Sequence, residues 1–340
     1  MSDSKGKPWR VLLTGPRMLR DFERLRARFE QLPVEVVLAE VRQHLNEDEL
    51  IESLDGIDGT ICGGDHHTAR VMDARPQLRV ICKWGTGVDA IDREAARARG
   101  IAVRNVPDAF SVPVADHTMG MMLNFSRRLA ENDRLIRQGL WSPVDAVSLA
   151  ELTLGVVGIG AIGQTVLRRA RAFGMMLLGT DPVRPPQQVI DETGVEIVGM
   201  DELLERADVV SMHCDLNPTS RRLMSTAQFA RMKKSAVFIN TSRGGVVDQP
   251  VLEKALADGE IAGAGLDVFE SEPICEGSPL RAMPNVMLTP HQANSSPRAA
   301  WAVHERTMAS LIELLESTPS RDGTPRVDTP CVGTPRAATT

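Results

Sequence analysis

What the sequence lacks narrows the classes of protein to which it can belong. None of its 340 residues is tyrosine, so a tyrosine cannot serve as a general acid. No apolar run approaches the roughly eighteen residues that a membrane-spanning helix needs, so we expect no membrane partner. The formal net charge of −6 lacks the basic excess of most nucleic-acid-binding proteins, so we expect no nucleic-acid partner either.

Cysteine is scarce as well. The five cysteines are Cys62, Cys82, Cys214, Cys275 and Cys331. Their odd number and wide spacing favour reduced thiols in a cytosol over a disulfide framework or a zinc site. The first ten residues, MSDSKGKPWR, lack the apolar segment of a signal peptide. We therefore expect a cytoplasmic protein without a metal site.

The rest of the composition is that of a folded globular chain, with 42% hydrophobic and 25% charged residues. Its length suits two domains. Over about the first 105 residues, short apolar runs alternate with amphipathic segments, which predicts a parallel sheet with crossover helices. The predicted strands are residues 10–14, 34–38, 59–62, 78–82 and 101–104, and two of the predicted helices are residues 17–31 and 46–54.

The stretch Leu152–Asp181 carries the clearest ligand-binding pattern. A predicted strand leads into Gly158, Gly160 and Gly163, which have the G-x-G-x-x-G spacing. Gly158 permits a tight turn, Gly160 lets the backbone approach a pyrophosphate, and Gly163 lets a helix pack closely on the strand. That helix is predicted to bury a stripe formed by Ile162, Val166, Leu167, Ala170 and Phe173. A glycine-rich turn in an ordinary α/β domain remains the alternative.

A dinucleotide would find further partners around these glycines. Its pyrophosphate would bind the free N–H groups at the helix N-terminus, at Ala161 and Ile162. Asp181 ends the next apolar run, where a carboxylate accepts hydrogen bonds from the adenosine ribose. This acid favours NAD over NADP because it would repel a 2′-phosphate, whereas the nearby Arg184 is a signal in the opposite direction.

Further alternation predicts a six- or seven-stranded, doubly wound sheet, whose later strands are residues 195–198, 209–213, 236–240, 263–267 and 286–288. Ligands of parallel sheets bind at the carboxyl ends of the strands. His213 ends one of these strands, on the adenine or pyrophosphate side.

Three residues near strand ends make chemical sense together. Arg243 offers a planar fork that binds a carboxylate through two hydrogen bonds. His291 has the side chain that most readily exchanges protons near neutral pH, and Glu272 beside it would fix its tautomer. Taken singly, Arg243 fits a surface ion pair, Glu272 a helix-edge charge and His291 a loop residue. Together they fit a nicotinamide enzyme acting on a 2-hydroxy acid.

The loop after the fourth predicted strand is a second candidate for substrate binding. It begins with Lys83 and continues through Gly85, Thr86 and Gly87. The glycines could present backbone N–H groups to the carboxylate of a small acid. A turn that merely begins the next helix is an equally good interpretation.

A long helix is predicted over residues 114–138. Its first half is apolar on nearly all sides, which favours burial in a core or a subunit contact. We therefore predict an interdomain helix that also contributes to a homodimer. For His117, on this helix, a hydrogen-bonded buried histidine is the favoured interpretation.

These motifs together resemble the D-isomer-specific 2-hydroxyacid dehydrogenases, and most of all their short phosphoglycerate-dehydrogenase-like branch, over about residues 55–318. The motifs are the glycine fingerprint with Asp181, GTGVDAID at 85–92, NTSRGGVVD at 240–248, GLDVFESEP at 265–273 and LTPH at 288–291.

The resemblance implies roles for individual residues. Arg243, Glu272 and His291 would be the substrate-binding arginine, the supporting glutamate and the acid/base histidine. Asp267 would contact the nicotinamide carboxamide. The cofactor cleft would also be lined by His213, Thr241 and Ser242, and the substrate carboxylate would be held by Gly85, Thr86 and Gly87. Members are typically dimers built around the helix assigned to 114–138.

The resemblance also implies the domain organisation. A Rossmann NAD-binding domain, residues 106–294, would be inserted into a flavodoxin-like substrate domain formed by residues 1–105 and 295–320, followed by a flexible tail at 321–340. Two positions depart from the family pattern: Asp116 stands where relatives more often carry Glu, and Asp215 where many carry Pro. The regulatory C-terminal domains of longer phosphoglycerate dehydrogenases are missing, so we expect no feedback control by serine through them.

The leading hypothesis is an NAD-dependent dehydrogenase that interconverts a D-2-hydroxy acid and its 2-oxo acid, with 3-phosphoglycerate as the best single substrate. A hydroxypyruvate or glyoxylate reductase is the nearer alternative, since it needs no phosphate site. An NAD(H)-sensing binding protein resembling the C-terminal-binding corepressors is an alternative of a different class.

Overall fold

The computed structural model describes residues 8–318, and these pack into two compact units. The first unit contains residues 8–84, 90–106 and 303–318, and the second contains residues 85–89 and 107–302. The tail predicted at 321–340 lies outside the described residues.

The first unit is built on a parallel sheet, which has five strands among the described residues. These are β1 (Trp9–Leu13), β2 (Val34–Leu38), β3 (Gly59–Cys62), β4 (Val80–Lys83) and β5 (Ala102–Arg104). Their order in the sheet, β2-β1-β3-β4-β5, is that of a flavodoxin-like fold, as predicted. The helices here are α1 (Pro16–Arg20), α2 (Phe22–Phe29), α3 (Glu47–Ser53), α4 (Ala69–Ala74), α5 (Arg93–Ala98) and most of α13 (Pro297–Ser317).

The single helix predicted at 17–31 is wrong, because α1 and α2 are separated at Asp21. Asp21 closes α1 and precedes α2 with a non-helical backbone. Its carboxylate accepts a hydrogen bond from Nε2 of His304 on α13, at 3.1 Å. Aspartate is unfavourable inside helices because its side chain competes for backbone hydrogen bonds. The hydrogen bond from His304 stabilises the break at Asp21.

The second unit contains a seven-stranded parallel sheet within the described chain. Its strands are β6 (Thr153–Val157), β7 (Met176–Thr180), β8 (Glu196–Ile197), β9 (Val209–Met212), β10 (Val237–Asn240), β11 (Gly263–Leu266) and β12 (Val286–Leu288). The strand order is β12-β11-β10-β9-β6-β7-β8. The chain therefore adds β7 and β8 on one side of β6 and the later strands on the other side, as in the predicted Rossmann fold. Its helices are α6 (Ser111–Arg127), α7 (Leu129–Arg137), α8 (Ala161–Ala172), α9 (Gln187–Thr193), α10 (Met200–Arg206), α11 (Thr226–Arg231) and α12 (Gln249–Ala257).

The continuous helix predicted at 114–138 is also wrong. It is broken between α6 and α7 at Arg128, whose φ is +55°. The Asn124 side chain stabilises the break, because its oxygen accepts a hydrogen bond from the Ala130 N–H at 3.0 Å.

Both faces of this sheet pack against apolar clusters, to which alternate residues of β6 contribute. Leu154 and Val156 join the cluster beneath α8, and Val157 joins the cluster on the opposite face. The buried stripe of α8 is confirmed at Val166, Leu167 and Ala170, whereas Ile162 is only half-buried. The prediction is wrong for Phe173, which closes the helix and is 44% exposed, since the chain turns away from the helical repeat there.

Candidate active site

The glycine-rich loop joins β6 to α8, and each glycine is required for a different reason. Gly158 has φ +93°, and a Cβ there would lie 2.5 Å from the backbone nitrogen of Cys214. A Cβ on Gly163 would lie 2.1 Å from the Gly158 carbonyl oxygen. A Cβ on Gly160 would meet no described heavy atom within 4 Å. The turn and the close packing are therefore internal to the fold, while Gly160 borders open space.

That open space adjoins the N-terminus of α8. Gly160 precedes the helix and offers no side-chain cap, and Ala161 and Ile162 form its first turn, half-buried. N–H groups in a first turn have no acceptor within the helix. The loop therefore presents donors to a ligand, as a pyrophosphate site requires.

Asp181 lies beside this loop, directly after β7. Its Oδ2 accepts a hydrogen bond from the Ile159 N–H at 2.7 Å, and its Oδ1 accepts from the Val183 N–H at 2.8 Å. The two backbone donors fix the carboxylate, and each oxygen can still accept a further bond. This geometry fits a partner that offers two hydroxyl groups. The side chain of Arg184 is exposed.

His213 follows β9 and lies behind the glycine turn, where a Cβ on Gly158 would come within 2.7 Å of the His213 carbonyl carbon. Its Nε2 is 2.8 Å from Oγ of Ser211, while its Nδ1 is buried and has no partner among residues 8–318. Burial lowers the pKa of His213 to about 3, so the ring is neutral at pH 7. The unsatisfied nitrogen beside the loop fits a polar ligand, and the three glycines fit a dinucleotide.

Residues 241–243 follow β10, at the carboxyl edge of the same sheet. Asn240 shapes this turn, because its side chain accepts from both the N–H and the hydroxyl of Ser242, at 3.0 and 2.8 Å. The Thr241 hydroxyl is 3.1 Å from the hydroxyl of Thr118 on α6. Arg243 Nε donates to Oδ1 of Asp89 at 3.0 Å, and its Nη1 donates to the Ser242 carbonyl at 2.8 Å.

His291 and Glu272 form a hydrogen-bonded pair, 2.6 Å from Nδ1 to Oε2. The other carboxylate oxygen of Glu272 accepts from the Phe269 N–H at 3.1 Å. Burial raises the pKa of Glu272, but the hydrogen bond and charge of His291 and the charge of Arg243 outweigh it, so the net pKa is below the usual 4.5. Glu272 is therefore ionised at neutral pH, and the Nδ1 proton of His291 points to it. Nε2 is left for proton transfer.

Asp267 holds the loop that carries His291, a role that sequence reasoning did not identify. Asp267 is 1% exposed, and its carboxylate accepts hydrogen bonds from the Thr289 hydroxyl, the Gln292 N–H and the Ala293 N–H, at 2.6, 2.9 and 2.8 Å. Its backbone carbonyl accepts from the His291 N–H at 2.8 Å. The contact predicted with a nicotinamide carboxamide stays a prediction.

His117 on α6 completes this network. Its Nε2 is 3.0 Å from the Thr289 hydroxyl. Since Thr289 donates its proton to Asp267, it must accept from His117, which therefore carries a proton on Nε2. His117 is hydrogen-bonded, as predicted, but its side chain is 20% exposed and therefore not fully buried.

The predicted substrate loop is divided between the two units. Lys83 belongs to the first unit and donates from Nζ to the Trp84 carbonyl at 2.8 Å. Gly85, Thr86 and Gly87 belong to the second unit, with φ +108° at Gly85. Asp89 was missed as a site residue, because no local pattern shows that it reaches Arg243.

Residues 8–318 contain no group of three or more His, Cys, Asp or Glu side chains arranged to hold a metal ion. No helix in this part of the chain combines the length and apolar character needed to cross a membrane.

The reversed strand order, the glycine loop and the acid after β7 define the second unit as a Rossmann-type dinucleotide-binding domain. The sequence model of the family described as "D-isomer specific 2-hydroxyacid dehydrogenase, NAD binding domain" matches residues 119–293. The chain belongs to this family, and the residues around the glycine loop fit NAD.

Two relatives illustrate the range of names within the family. The D-3-phosphoglycerate dehydrogenase of Methanocaldococcus jannaschii is 41% identical over 272 residues, which cover 79% of this chain and 52% of that protein. The glyoxylate reductase of Korarchaeum cryptofilum is 41% identical over 250 residues, which cover 72% of this chain and 75% of that protein. The chain thus spans about half the length of the first and three quarters of the second.

Solved structures share the architecture. The TT0316 protein of Thermus thermophilus has a TM-score of 0.77 at 37% identity, covering 90% of this chain and 97% of its own. A D-lactate dehydrogenase of Aquifex aeolicus, complexed with NAD and lactic acid, has a TM-score of 0.80 at 26% identity, covering 90% of this chain and 95% of its own.

Proposed function

We propose that this chain is an NAD-dependent dehydrogenase that interconverts a D-2-hydroxy acid and its 2-oxo acid. The observation that carries the proposal is the 2.6 Å hydrogen bond between His291 and an ionised Glu272, with Arg243 close enough for its charge to act on that carboxylate. The residues that would hold NAD are those around the glycine loop: Gly158, Gly160, Ala161, Ile162, Gly163, Asp181 and His213. Thr241, Ser242 and Asp267 are proposed as further cofactor contacts.

In this mechanism Arg243 binds the substrate carboxylate through its guanidinium fork. His291 takes the hydroxyl proton on Nε2 as the alcohol is oxidised, and returns it when the 2-oxo acid is reduced. Glu272 keeps the other proton on Nδ1 and stabilises the imidazolium. Bound NAD would supply the acceptor for the hydride that leaves C2. Hydroxy acid and NAD⁺ thus yield oxo acid, NADH and one proton.

The substrate proposal has two candidates. 3-Phosphoglycerate is the first, on the relationship to D-3-phosphoglycerate dehydrogenases. Hydroxypyruvate or glyoxylate is the second, on the relationship to the glyoxylate reductases. The first unit is proposed to be a substrate-binding domain, and residues 85–87 are proposed to hold the substrate carboxylate.

A panel of acids tests both parts of the proposal. NADH formation should be followed with 3-phosphoglycerate, and NADH oxidation with hydroxypyruvate, glyoxylate and other 2-oxo acids. Phosphoglycerate oxidation would establish the first substrate, and turnover of only unphosphorylated acids the second. If purified protein binds NADH but turns over none of these acids, the dehydrogenase proposal is wrong and the NAD(H)-sensing alternative gains support.

We also propose that the chain forms a homodimer around α6 and α7. Large apolar side chains are exposed on α7 and directly after it: Leu129 is 55% exposed, Ile136 53% and Trp141 88%. Exposed apolar surface of this kind marks protein contacts. Trp141→Lys should weaken a dimer measured by sedimentation, whereas Met176→Lys, at an exposed site on β7, should not. Monomeric wild-type protein would contradict the proposal.

A cytoplasmic location is proposed on the state of the cysteines. Cys62, Cys82, Cys214 and Cys275 are free thiols. Burial raises the pKa of Cys62 and of Cys82 to about 12, which keeps both protonated and unreactive. Subcellular fractionation tests the location, and recovery in an extracytoplasmic fraction would contradict it.

A further inference from the structure

Arg243 forms a hydrogen bond with Asp89 and packs against Gly87. Both residues lie on the loop segment that belongs to the second unit. Asp89 Oδ1 accepts from Nε of Arg243 at 3.0 Å, and the Ser242 carbonyl accepts from Nη1 at 2.8 Å. A Cβ added to Gly87 would lie 1.6 Å from Nη2 and 2.8 Å from Cζ of Arg243. The guanidinium therefore occupies the space that a side chain at position 87 would fill.

These contacts leave a defined part of the guanidinium for a ligand. A guanidinium has five N–H donors. Asp89 and the Ser242 carbonyl each take one of them, so three N–H donors remain on the two terminal nitrogens of Arg243. Two terminal nitrogens side by side are the arrangement that binds a carboxylate through parallel hydrogen bonds.

We infer that Asp89 is a positioning residue that acts through Arg243, and that Gly87 supplies the clearance this position needs. The inference rests on the proposed role of Arg243 as the binding site for the substrate carboxylate. Asp89 binds Nε of Arg243 and thereby orients the guanidinium. The terminal nitrogens of Arg243 then face the substrate, and the side chain need not change rotamer when the substrate binds. Orientation of this kind contributes to both substrate binding and rate.

A purely structural role would leave a different signature. The side chains of Asp89 and Arg243 are 29% and 31% exposed, and ion pairs of such exposure contribute little to folding stability. Asp89→Ala should therefore leave the unfolding transition and the NADH affinity nearly unchanged. Its effect should fall on the KM for the 2-oxo acid and on kcat.

The first test compares variants at position 89, using the best 2-oxo acid of the wild-type enzyme. Asp89→Ala should raise KM and lower kcat/KM on the order of 10- to 100-fold, the cost of a misplaced binding group. Asp89→Asn keeps an oxygen acceptor for Nε and should recover most of the loss. Asp92→Ala is the matched control, since the Asp92 carboxylate caps α5 through the Ala95 N–H at 2.8 Å. It should lower stability but leave KM unchanged.

A second test adds the missing Cβ. Gly87→Ala should reproduce the kinetic defect of Asp89→Ala, because the new methyl group displaces the guanidinium of Arg243. Gly199→Ala is the control, since a Cβ there meets no described heavy atom within 4 Å.

A double-mutant cycle with Arg243→Met decides whether Asp89 acts through Arg243. Methionine offers no hydrogen-bond donor to Asp89, so Asp89→Ala should cost no more than about twofold in kcat/KM in that background. Independent, multiplicative losses would overturn the inference, as would wild-type kinetics for Asp89→Ala. Absence of turnover by the wild-type protein would instead overturn the proposed function, so the two failures are distinguishable.

Discussion

Replacing His213 by glutamine should reduce the loss of stability that the protein undergoes at acid pH. The His213 ring lies behind the glycine turn, with Nδ1 buried and unpaired among the described residues. Burial lowers its pKa from 6.5 to about 3. Glutamine does not titrate, and its terminal amide can still reach the Ser211 hydroxyl that Nε2 contacts at 2.8 Å.

The sign and size of the effect follow from proton linkage. Between pH 6.5 and about 3 the unfolded chain carries a proton on His213 that the folded chain does not. The free energy of unfolding therefore falls as the pH drops below 6.5, by about 1.4 kcal/mol per pH unit. From pH 7 to pH 5 the loss amounts to about 2 kcal/mol.

Urea denaturation followed by circular dichroism measures this difference. The free energy of unfolding of the wild-type protein, minus that of His213→Gln, should fall by about 2 kcal/mol between pH 7 and pH 5. Ser211→Ala is the matched control: it removes the hydrogen-bond partner but leaves Nδ1 buried, so its pH dependence should follow the wild type.

Histidine NMR tests the cause directly. The chain has seven histidines, and the ring resonance missing from His213→Gln should not shift between pH 8 and pH 5. If that resonance titrates with a midpoint near 6.5, or if the stability difference does not change with pH, burial of a neutral His213 is refuted.

Three further predictions concern the cofactor loop and the acid/base pair. Gly163→Ala should lower the free energy of unfolding by roughly 1–3 kcal/mol, because its Cβ would lie 2.1 Å from the Gly158 carbonyl oxygen. Gly160→Ala should leave the free energy of unfolding unchanged but weaken NADH binding in a fluorescence titration. If both variants lowered the free energy of unfolding equally, this distinction would be contradicted. Glu272→Gln should lower kcat by roughly 10²-fold without changing NADH affinity. Because the folded pKa of Glu272 lies below 4.5, any stability advantage of Glu over Gln is present above that pH and is lost as the pH falls through the folded pKa, which acid denaturation of both proteins would measure. Asp181→Ala should shift the kcat/KM preference from NAD toward NADP, and an unchanged ratio would show that this carboxylate does not select the cofactor.

Features that depend on a short stretch of backbone could be predicted from sequence. The G-x-G-x-x-G spacing specifies a turn, an open approach and a close contact, and Gly158, Gly160 and Gly163 have these three properties in the structure. The strands were predictable for the same reason, because a buried parallel strand is a continuous apolar run. The strand bounds differ from the predicted ones by at most two residues, as for β4, predicted at 78–82 and observed at Val80–Lys83.

Helix ends that depend on side-chain hydrogen bonds outside the helical repeat were not predictable. Periodicity predicts one helix across Asp21 and another across Arg128, and both helices break there. The first break involves a hydrogen bond to His304, 283 residues away in the sequence. The second depends on the Asn124 side chain binding the Ala130 N–H. Asn124 lies in an apolar segment, where nothing marks it as the end of a helix.

The site was predictable in its residue types but not in what holds those residues. Arg243, Glu272 and His291 could be found because each follows a strand and has the chemistry that the reaction needs. Asp89 could not, since its partner Arg243 is 154 residues away and an aspartate in a glycine-rich loop has many ordinary explanations.

The backbone of His291 shows why the supporting residues matter as much as the reacting ones. His291 has φ +48°, a left-handed conformation that costs a non-glycine residue roughly 1–3 kcal/mol and persists only where the surroundings impose it. Asp267 imposes it: its carbonyl binds the His291 N–H, and its carboxylate binds the next two N–H groups, of Gln292 and Ala293. Because Asp267 is buried and Thr289 and His117 extend the network to α6, the backbone that carries the His291 ring is fixed at the sheet edge. Glu272 then has only to orient the ring on a backbone that is already in place, which a single 2.6 Å hydrogen bond can do.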